Sequence, residues 1–228
     1  MNAQLDASTR DWAAVRADFP LLTREVHGKP LIYLDSANTG QKPASVIDTI
    51  DDFYRHHNAN VSRAVHALGS EATEAYEESR TKLAGFLKAH RDELVLCSGT
   101  TFALNLVAYS WALPRLKPGD AILLSRMEHH ANIVPWQLVA ERTGAKIKVA
   151  EIHENGTLDL DALYAVMTPE VKILGLSHVS NVLGTVNPVR EICREARRRG
   201  IASVIDGSQA APHRTLDMPS LACDFYAT

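Results

Sequence analysis

The sequence predicts an α/β protein: a three-layer sandwich in which a mostly parallel sheet lies between helices. Three observations carry this expectation. From about residue 93 onward, short apolar runs alternate with segments of helical length and helical spacing, the order expected of strands joined by crossover helices. Several of the runs, such as "AILL" and "ILGL", are apolar without interruption, as strands buried on both faces are. The chain of 228 residues, 46% apolar and 22% charged, is long enough to bury a sizeable core without disulfide or metal staples.

Taken in order, the first ten or so residues are polar and expected to be loose. "DWAAVRADFP" (11–20) reads as a short helix, with Asp11 as N-cap and Pro20 as stop. "LIYLD" (31–35) reads as a short strand that breaks at the turn-forming "SANTGQKP". Helical patterns follow from Pro43 to about His57 and from Ser70 to about Leu87. Thereafter strands are expected at 93–99, 120–126, 146–152, 171–180 and 202–209, and helices at 100–112, 133–144, 159–167 and 189–200. The final "LACDFYAT" reads as one more strand entering a core, with Cys223, Phe225 and Ala227 on one side and Asp224, Tyr226 and Thr228 on the other. Residues 1–20 are expected to form an N-terminal segment, and residues from about 21 to 228 one α/β domain.

A formal net charge of −3 offers no clustered positive surface for nucleic acid or membrane. The one basic run, "REARRRG" (194–200), is assigned to the solvated face of a helix. No uninterrupted apolar run approaches the ~18 residues of a membrane span, and the N-terminus lacks the apolar core of a signal peptide. A cytoplasmic location is the default expectation. The three cysteines, Cys97, Cys193 and Cys223, lack CxxC spacing. They indicate a reducing compartment and buried, inert thiols rather than a disulfide framework or a zinc site.

Ligands of an open parallel sheet gather at the carboxyl ends of its strands, and four stretches there carry unusual residues. "SGTTFALN" (98–105) joins a strand to a helix, so Thr100 and Thr101 bring hydroxyls and unpaired amides to a helix N-terminus, as an anion site or as a plain N-cap. In "MEHHANIVPW" (127–136), His129 and His130 are expected to diverge, which argues against a shared metal. One of them suits stacking on a flat ligand or moving a proton; the alternative is a helix-initiating loop. In "SHVSNVLGT" (177–185), Asn181 is either a turn former or a ligand contact. In "VIDGSQAAPH" (204–213), Asp206 ends an apolar strand, where a carboxylate needs a positive partner or serves as an N-cap. Gln209 can present donor and acceptor to the same ligand. Together these groups form an anion cradle, a stacking ring, an acid for a ring nitrogen and two amides, a set that suits pyridoxal 5′-phosphate.

The stretches "REVHGKPLIYLDSANTGQKP", "GTTFALNLVA", "MEHHANIVPWQ", "SHVSNVLGTVNPV" and "IDGSQAAPH…DFYAT" resemble the large domain of the group II cysteine desulfurases. These belong to the class V aminotransferase family with the type I pyridoxal-phosphate fold. The resemblance runs from about Asp18 to Thr228. It implies a pyridoxal-phosphate enzyme that converts L-cysteine to L-alanine and an enzyme-bound persulfide for iron–sulfur cluster assembly, working as a homodimer with a sulfur-acceptor protein. It implies that Thr100 and Thr101 hold the cofactor phosphate, that His129 stacks on the ring and serves proton transfer, and that Asp206 pairs with the ring nitrogen. Gln209 then bonds the phenolic oxygen, Asn181 lies near that oxygen and the substrate carboxylate, and Ala37 and Asn38 border the substrate pocket.

In similar proteins the "DFY" strand runs on into a segment whose lysine forms the Schiff base, with the persulfide cysteine and a small C-terminal domain further on. The expectation is therefore of a fragment, inactive alone, that stops before that lysine. "VSRAVHALGS" (61–70), with Ser62 and Ala64 where many such enzymes have histidine and glycine, leaves L-cysteine and selenocysteine both open as substrates. Selenocysteine lyase, aminotransferase, epimerase and kynureninase-like chemistries, and a noncatalytic protein of the same fold, are the alternatives.

Overall fold

The computed structural model describes residues 11–228; the loose N-terminus expected for the first ten lies outside them. The chain divides into two compact units, Met1–Glu78 and Ser79–Thr228.

In the first unit, Asp11 caps helix α1 (Trp12–Ala17), its carboxylate accepting from the amides of Ala13 and Ala14, and Pro20 opens a 3-10 turn. Strands β1 (Glu25–Val26) and β2 (Lys29–Pro30) form a minimal hairpin. Its two central residues, His27 and Gly28, both have positive φ (55° and 70°), as a type I′ turn requires. Helix α2 (Ala44–Asp52) runs into a five-residue π-helical turn, Phe53–His57. Helix α3 (Ala67–Leu87) begins before the expected Ser70, and the unit boundary falls within it. The expected strand at 31–35 is not formed: Ile32 and Leu34 are 80% and 91% exposed, and the segment is irregular backbone. Apolar composition makes a strand only where a neighbour takes up its amides and carbonyls; here the Leu31 amide donates to the Arg24 carbonyl, its carbonyl accepts from the Arg16 guanidinium, and no ladder forms among the described residues.

The second unit holds the sheet. It contains helices α4 (Thr100–Leu106), α5 (Val134–Thr143), α6 (Leu160–Val166), α7 (Val189–Arg198) and α8 (Met218–Leu221). Its strands are β3 (Ala121–Ser125), β4 (Lys146–Ala150), β5 (Val171–Ser177), β6 (Ala202–Asp206) and β7 (Phe225–Ala227), in the spatial order β4-β3-β5-β6-β7. Every pairing is parallel.

Side chains alternate across this sheet with the strand period of two. Leu123, Leu174, Leu176 and Ile205 pack under α6 and α7 with Leu163, Ile192 and Cys193. Ile122, Leu124, Ile173 and Val204 face the other way, toward α4 and α5 with Leu104, Trp136 and Val139. That double burial is why β3 and β5 read as unbroken apolar runs, each large side chain contributing about 1.5–3 kcal/mol. On β7 the same alternation places Tyr226 in the first layer and Phe225 and Ala227 in the second; Cys223, which precedes the strand, joins Tyr226's side. The helices end and begin where their capping residues stand: Asp159 caps α6 through the Ala162 amide, and Asp217 caps α8 through the Ser220 amide.

Two further expectations are corrected. Residues 93–99 form a 3-10 turn and irregular backbone, not a strand. Val95 is 64% exposed and the Leu94 carbonyl accepts from the Arg80 guanidinium rather than from a ladder. Cys97 is exposed, whereas Cys193 is buried and Cys223 intermediate. No helix among the described residues is long and apolar enough to cross a membrane.

Candidate functional site

The carboxyl ends of β3, β5 and β6 lie side by side, and the loops that leave them carry His129, Asn181, Asp206 and Gln209. Helix α4, whose first residues are Thr100 and Thr101, packs against β6, β7 and the 130–132 turn. The second unit thus gathers the elements that bear these six residues at one end of the sheet. Ala37 and Asn38 belong to the first unit, in a turn where the amides of Asn38 and Thr39 donate to the Asp35 carbonyl.

Asp206 is the last residue of β6 and is 6% exposed. Its Oδ1 accepts from the amide of Ser208 at 3.0 Å and from the Ser208 hydroxyl at 2.6 Å. The carboxylate therefore caps the turn that follows the strand through Oδ1; no helix begins there, so it is not the helix N-cap of the alternative reading. No cationic side chain among the described residues pairs with it. The next residue, Gly207, is tied to β7 through its amide on the Ala227 carbonyl. A Cβ at position 207 would lie 2.0 Å from Cε1 and 2.5 Å from the hydroxyl oxygen of Tyr226, so glycine is what lets that ring cross the turn. The Tyr226 hydroxyl meets Nδ1 of His178 at 2.9 Å. Burial, seconded by the nearby Arg214 charge, lowers the His178 pKa from 6.5 to about 4, and burial raises that of Tyr226. Gln209 follows in the same turn, half-buried.

His129 and His130 do not diverge. Their rings stack with centroids 4.6 Å apart and planes inclined by 14°. The reason is a change of backbone at the pair: His129 is extended (φ −68°, ψ 149°) and caps a 3-10 turn that His130 opens. Nδ1 of His129 accepts from the Ala131 amide at 3.1 Å, so a neutral ring carries its proton on Nε2. Both rings are exposed. Among the described residues no group of three or more His, Cys, Asp or Glu side chains could hold a metal.

Gly99, with φ 142°, turns the chain into α4 and leaves the helix without a side-chain cap. The first amides of the helix thus have no partner of their own kind. The Thr101 carbonyl accepts from the Asn105 amide group at 2.8 Å. Asn181 is exposed in a turn closed by the Ser180 amide on the Thr185 carbonyl.

Sequence reasoning missed Glu128. It is 8% exposed, and its carboxylate accepts from the hydroxyls of Ser125 and Ser177 (the latter at 2.6 Å) and from the Asn132 amide group at 2.8 Å. Burial raises its pKa against the opposing effect of these donors. Its signal in the sequence was an acid three residues behind the apolar β3, with serines closing both β3 and its neighbour β5. A cleft of about 1060 Å³ also opens along the exposed face of α7, lined by His178, Asn187, Arg190, Arg194 and Arg214 among others. It holds none of Thr101, His129, Asp206 or Gln209.

Comparison with known proteins points the same way. The chain matches the aminotransferase class-V family model over residues 32–228. It is 71% identical over 217 residues to a probable cysteine desulfurase of Xylella fastidiosa (strain 9a5c), covering 95% of this chain and 52% of that protein. It is 50% identical over 213 residues to a cysteine desulfurase of Enterobacter sp. (strain 638), with 93% and 52% covered. Among solved structures, the cysteine desulfurase CsdA (S-sulfonic acid) from Escherichia coli superposes with a TM-score of 0.83 at 39% identity, covering 94% of this chain and 53% of that one. The chain spans about half the length of the curated relatives it matches.

Proposed function

Because the chain belongs to the class-V aminotransferase family, we propose that it is the cofactor-holding part of a pyridoxal 5′-phosphate-dependent cysteine desulfurase. The names of its relatives at 71% and 50% identity support this reading. The observation that carries it is Asp206. A strand-end carboxylate that is 6% exposed and forms no ion pair with a cation among the described residues is a place that a positive group would complete. The protonated ring nitrogen of pyridoxal phosphate is such a group. When bound, this cofactor supplies an electron sink for the α-carbon of an amino acid.

The chain's own residues fit that group. The Asp206 carboxylate would accept a hydrogen bond from the ring N–H and so keep the proton on the nitrogen, while Ser208 fixes the carboxylate through Oδ1. The His129 ring, its Nδ1 committed to the Ala131 amide, would stack on the heterocycle and offer Nε2 for proton exchange. Thr100 and Thr101, with the first amides of α4, would hold the phosphate; Gln209 and Asn181 would hold the phenolic oxygen and the substrate carboxylate. Ala37 and Asn38 border the substrate in this reading, and residues 21–228 form the large domain of the type I fold.

The lysine that carries the cofactor and the cysteine that receives sulfur are assigned to the half of the relatives that this chain does not span. Lys148 is engaged with Thr168 and Glu170, and Lys172 with the Pro169 carbonyl, at the opposite end of β5. Burial pushes the thiols of Cys193 and Cys223 up to about 12 and about 11, which disqualifies them as nucleophiles at neutral pH. L-cysteine is the substrate, with L-alanine and sulfur for iron–sulfur clusters as products. A cytoplasmic homodimer serving a sulfur-acceptor protein completes the proposal.

Titration of the chain with pyridoxal phosphate, followed by its visible absorbance, tests the reading. Saturable uptake is expected, weakened about tenfold or more in Asp206→Asn. The same substitution should leave the melting temperature of the ligand-free chain unchanged or raised, since it removes an unpaired buried charge. Equal affinity in the two proteins, or no uptake by either, refutes the assignment.

A further inference from the structure

Glu128 is an expensive residue for the fold. It is 8% exposed, and the groups that meet it, Ser125, Asn132 and Ser177, are neutral and themselves 3%, 0% and 4% exposed. A buried carboxylate held only by neutral donors returns little net stability compared with an apolar side chain of the same shape. What it does provide is geometry. Ser125 closes β3 and Ser177 closes the adjacent β5, so the carboxylate ties the two strand ends together, reaching a serine 49 positions away in sequence. The bond from Asn132 then ties both strand ends to the far side of the turn. Asn132 is held in turn by the Trp136 indole, which donates to its Oδ1 at 2.9 Å. The Asn132 amide donates to the His129 carbonyl at 2.8 Å. Residues 128 and 132 are therefore both anchored to the sheet, and the exposed His129 and His130 lie between them.

We propose that Glu128 is a positioning residue: it fixes the 128–132 turn to the ends of β3 and β5 and so sets the plane in which the His129 ring meets the cofactor. The proposal rests on the reading of His129 as the stacking ring. It goes beyond that reading by naming what aims the ring.

Glutamine should preserve the arrangement. Its carbonyl can stand at the Oε2 position to accept from Asn132 and Ser177, and its amide group can donate to the Ser125 oxygen. Alanine leaves three buried polar groups without their partner.

The test uses the full 228-residue chain with histidine carbons labelled, and reads the His129 ring resonance by NMR together with pyridoxal-phosphate affinity. The resonance is shifted by the His130 ring stacked on it. Glu128→Gln is expected to keep that shift and to bind the cofactor within about twofold of the native chain. Glu128→Ala is expected to lose the shift and about tenfold in affinity. Leu163→Ala, a lesion in the layer under α6, controls for general destabilisation and should leave the His129 resonance in place. Ser177→Ala removes only the cross-strand donor and is expected to move the resonance partway, which keeps the test decisive if Glu128→Ala does not fold. An unmoved resonance in Glu128→Ala or Ser177→Ala, or an equal movement in Leu163→Ala, overturns the proposal. Should the native chain take up no cofactor, the cofactor reading fails by itself, and the resonance still decides whether Glu128 positions the ring.

Discussion

Replacing Gly207 with alanine tests the turn that presents Asp206. The added Cβ would lie 2.0 Å from Cε1, 2.3 Å from Cζ and 2.5 Å from the hydroxyl oxygen of Tyr226, more than an ångström inside ordinary van der Waals contact. The ring cannot slide away freely. Its hydroxyl is bonded to His178 at 2.9 Å, the two rings pack edge to face at 6.0 Å, and the tyrosine belongs to the layer beneath α7. Overpacking of this kind costs about 1–3 kcal/mol. Breaking the hydrogen bond to a buried ring adds about 1–2 kcal/mol, so the expected total is about 2–5 kcal/mol. Urea denaturation at neutral pH measures it, as a fall in the midpoint with an unchanged slope. A double-mutant cycle assigns the cause: in a Tyr226→Ala background the same glycine substitution should cost less than about 1 kcal/mol, because the obstructing ring is gone. Additivity of the two substitutions to within about 0.5 kcal/mol would falsify the steric argument, as would a Gly207→Ala chain as stable as the native one.

Three other outcomes are expected. The neutral His178 ring has a folded pKa of about 4 against 6.5, so the unfolded chain takes up a proton where the folded one does not. Its contribution to stability is fully present above pH 6.5 and is lost as pH falls toward about 4; at about 1.4 kcal/mol per pH unit the ceiling is about 3 kcal/mol, reduced to about 1–2 kcal/mol by partial solvation. Urea midpoints measured from pH 7 to pH 4 should fall less steeply in His178→Asn than in the native chain. Leu163→Ala, at a fully buried position under α6, should cost about 2–5 kcal/mol by the same assay. Asp159→Ala, which removes the carboxylate cap on the Ala162 amide, should cost about 1 kcal/mol.

The sheet was legible where the sequence carries the cause of the structure. Strands β3 and β5 are buried on both faces, and the apolar runs "AILL" and "ILGL" within them say so; the Asp11 cap stands one residue before the helix it starts. The two misread segments, 31–35 and 93–99, have the composition of strands but no ladder partner among the described residues, and pairing is a property of the fold that one segment cannot announce. The site was half legible. Asp206 stood out because a lone acid ends an apolar strand, and the burial expected of it is found. The stacked pair His129 and His130 was misjudged because regular helix and strand geometry was assumed at a point where the backbone changes from one conformation to another. Glu128 was hidden because its partner Ser177 lies 49 positions away and comes beside Ser125 only through the pairing of β3 with β5.

The two margins of the sheet differ in a way that gives the molecule a direction. At one margin β4 carries Lys146 and Lys148, and ammonium groups on a border strand discourage a second chain from docking there. At the other, β7 consists of Phe225, Tyr226 and Ala227, with no charge among them. Charge on the strand itself therefore marks one margin of the sheet and is lacking at the other, so the two borders differ in what they would cost a further hydrogen-bonded strand.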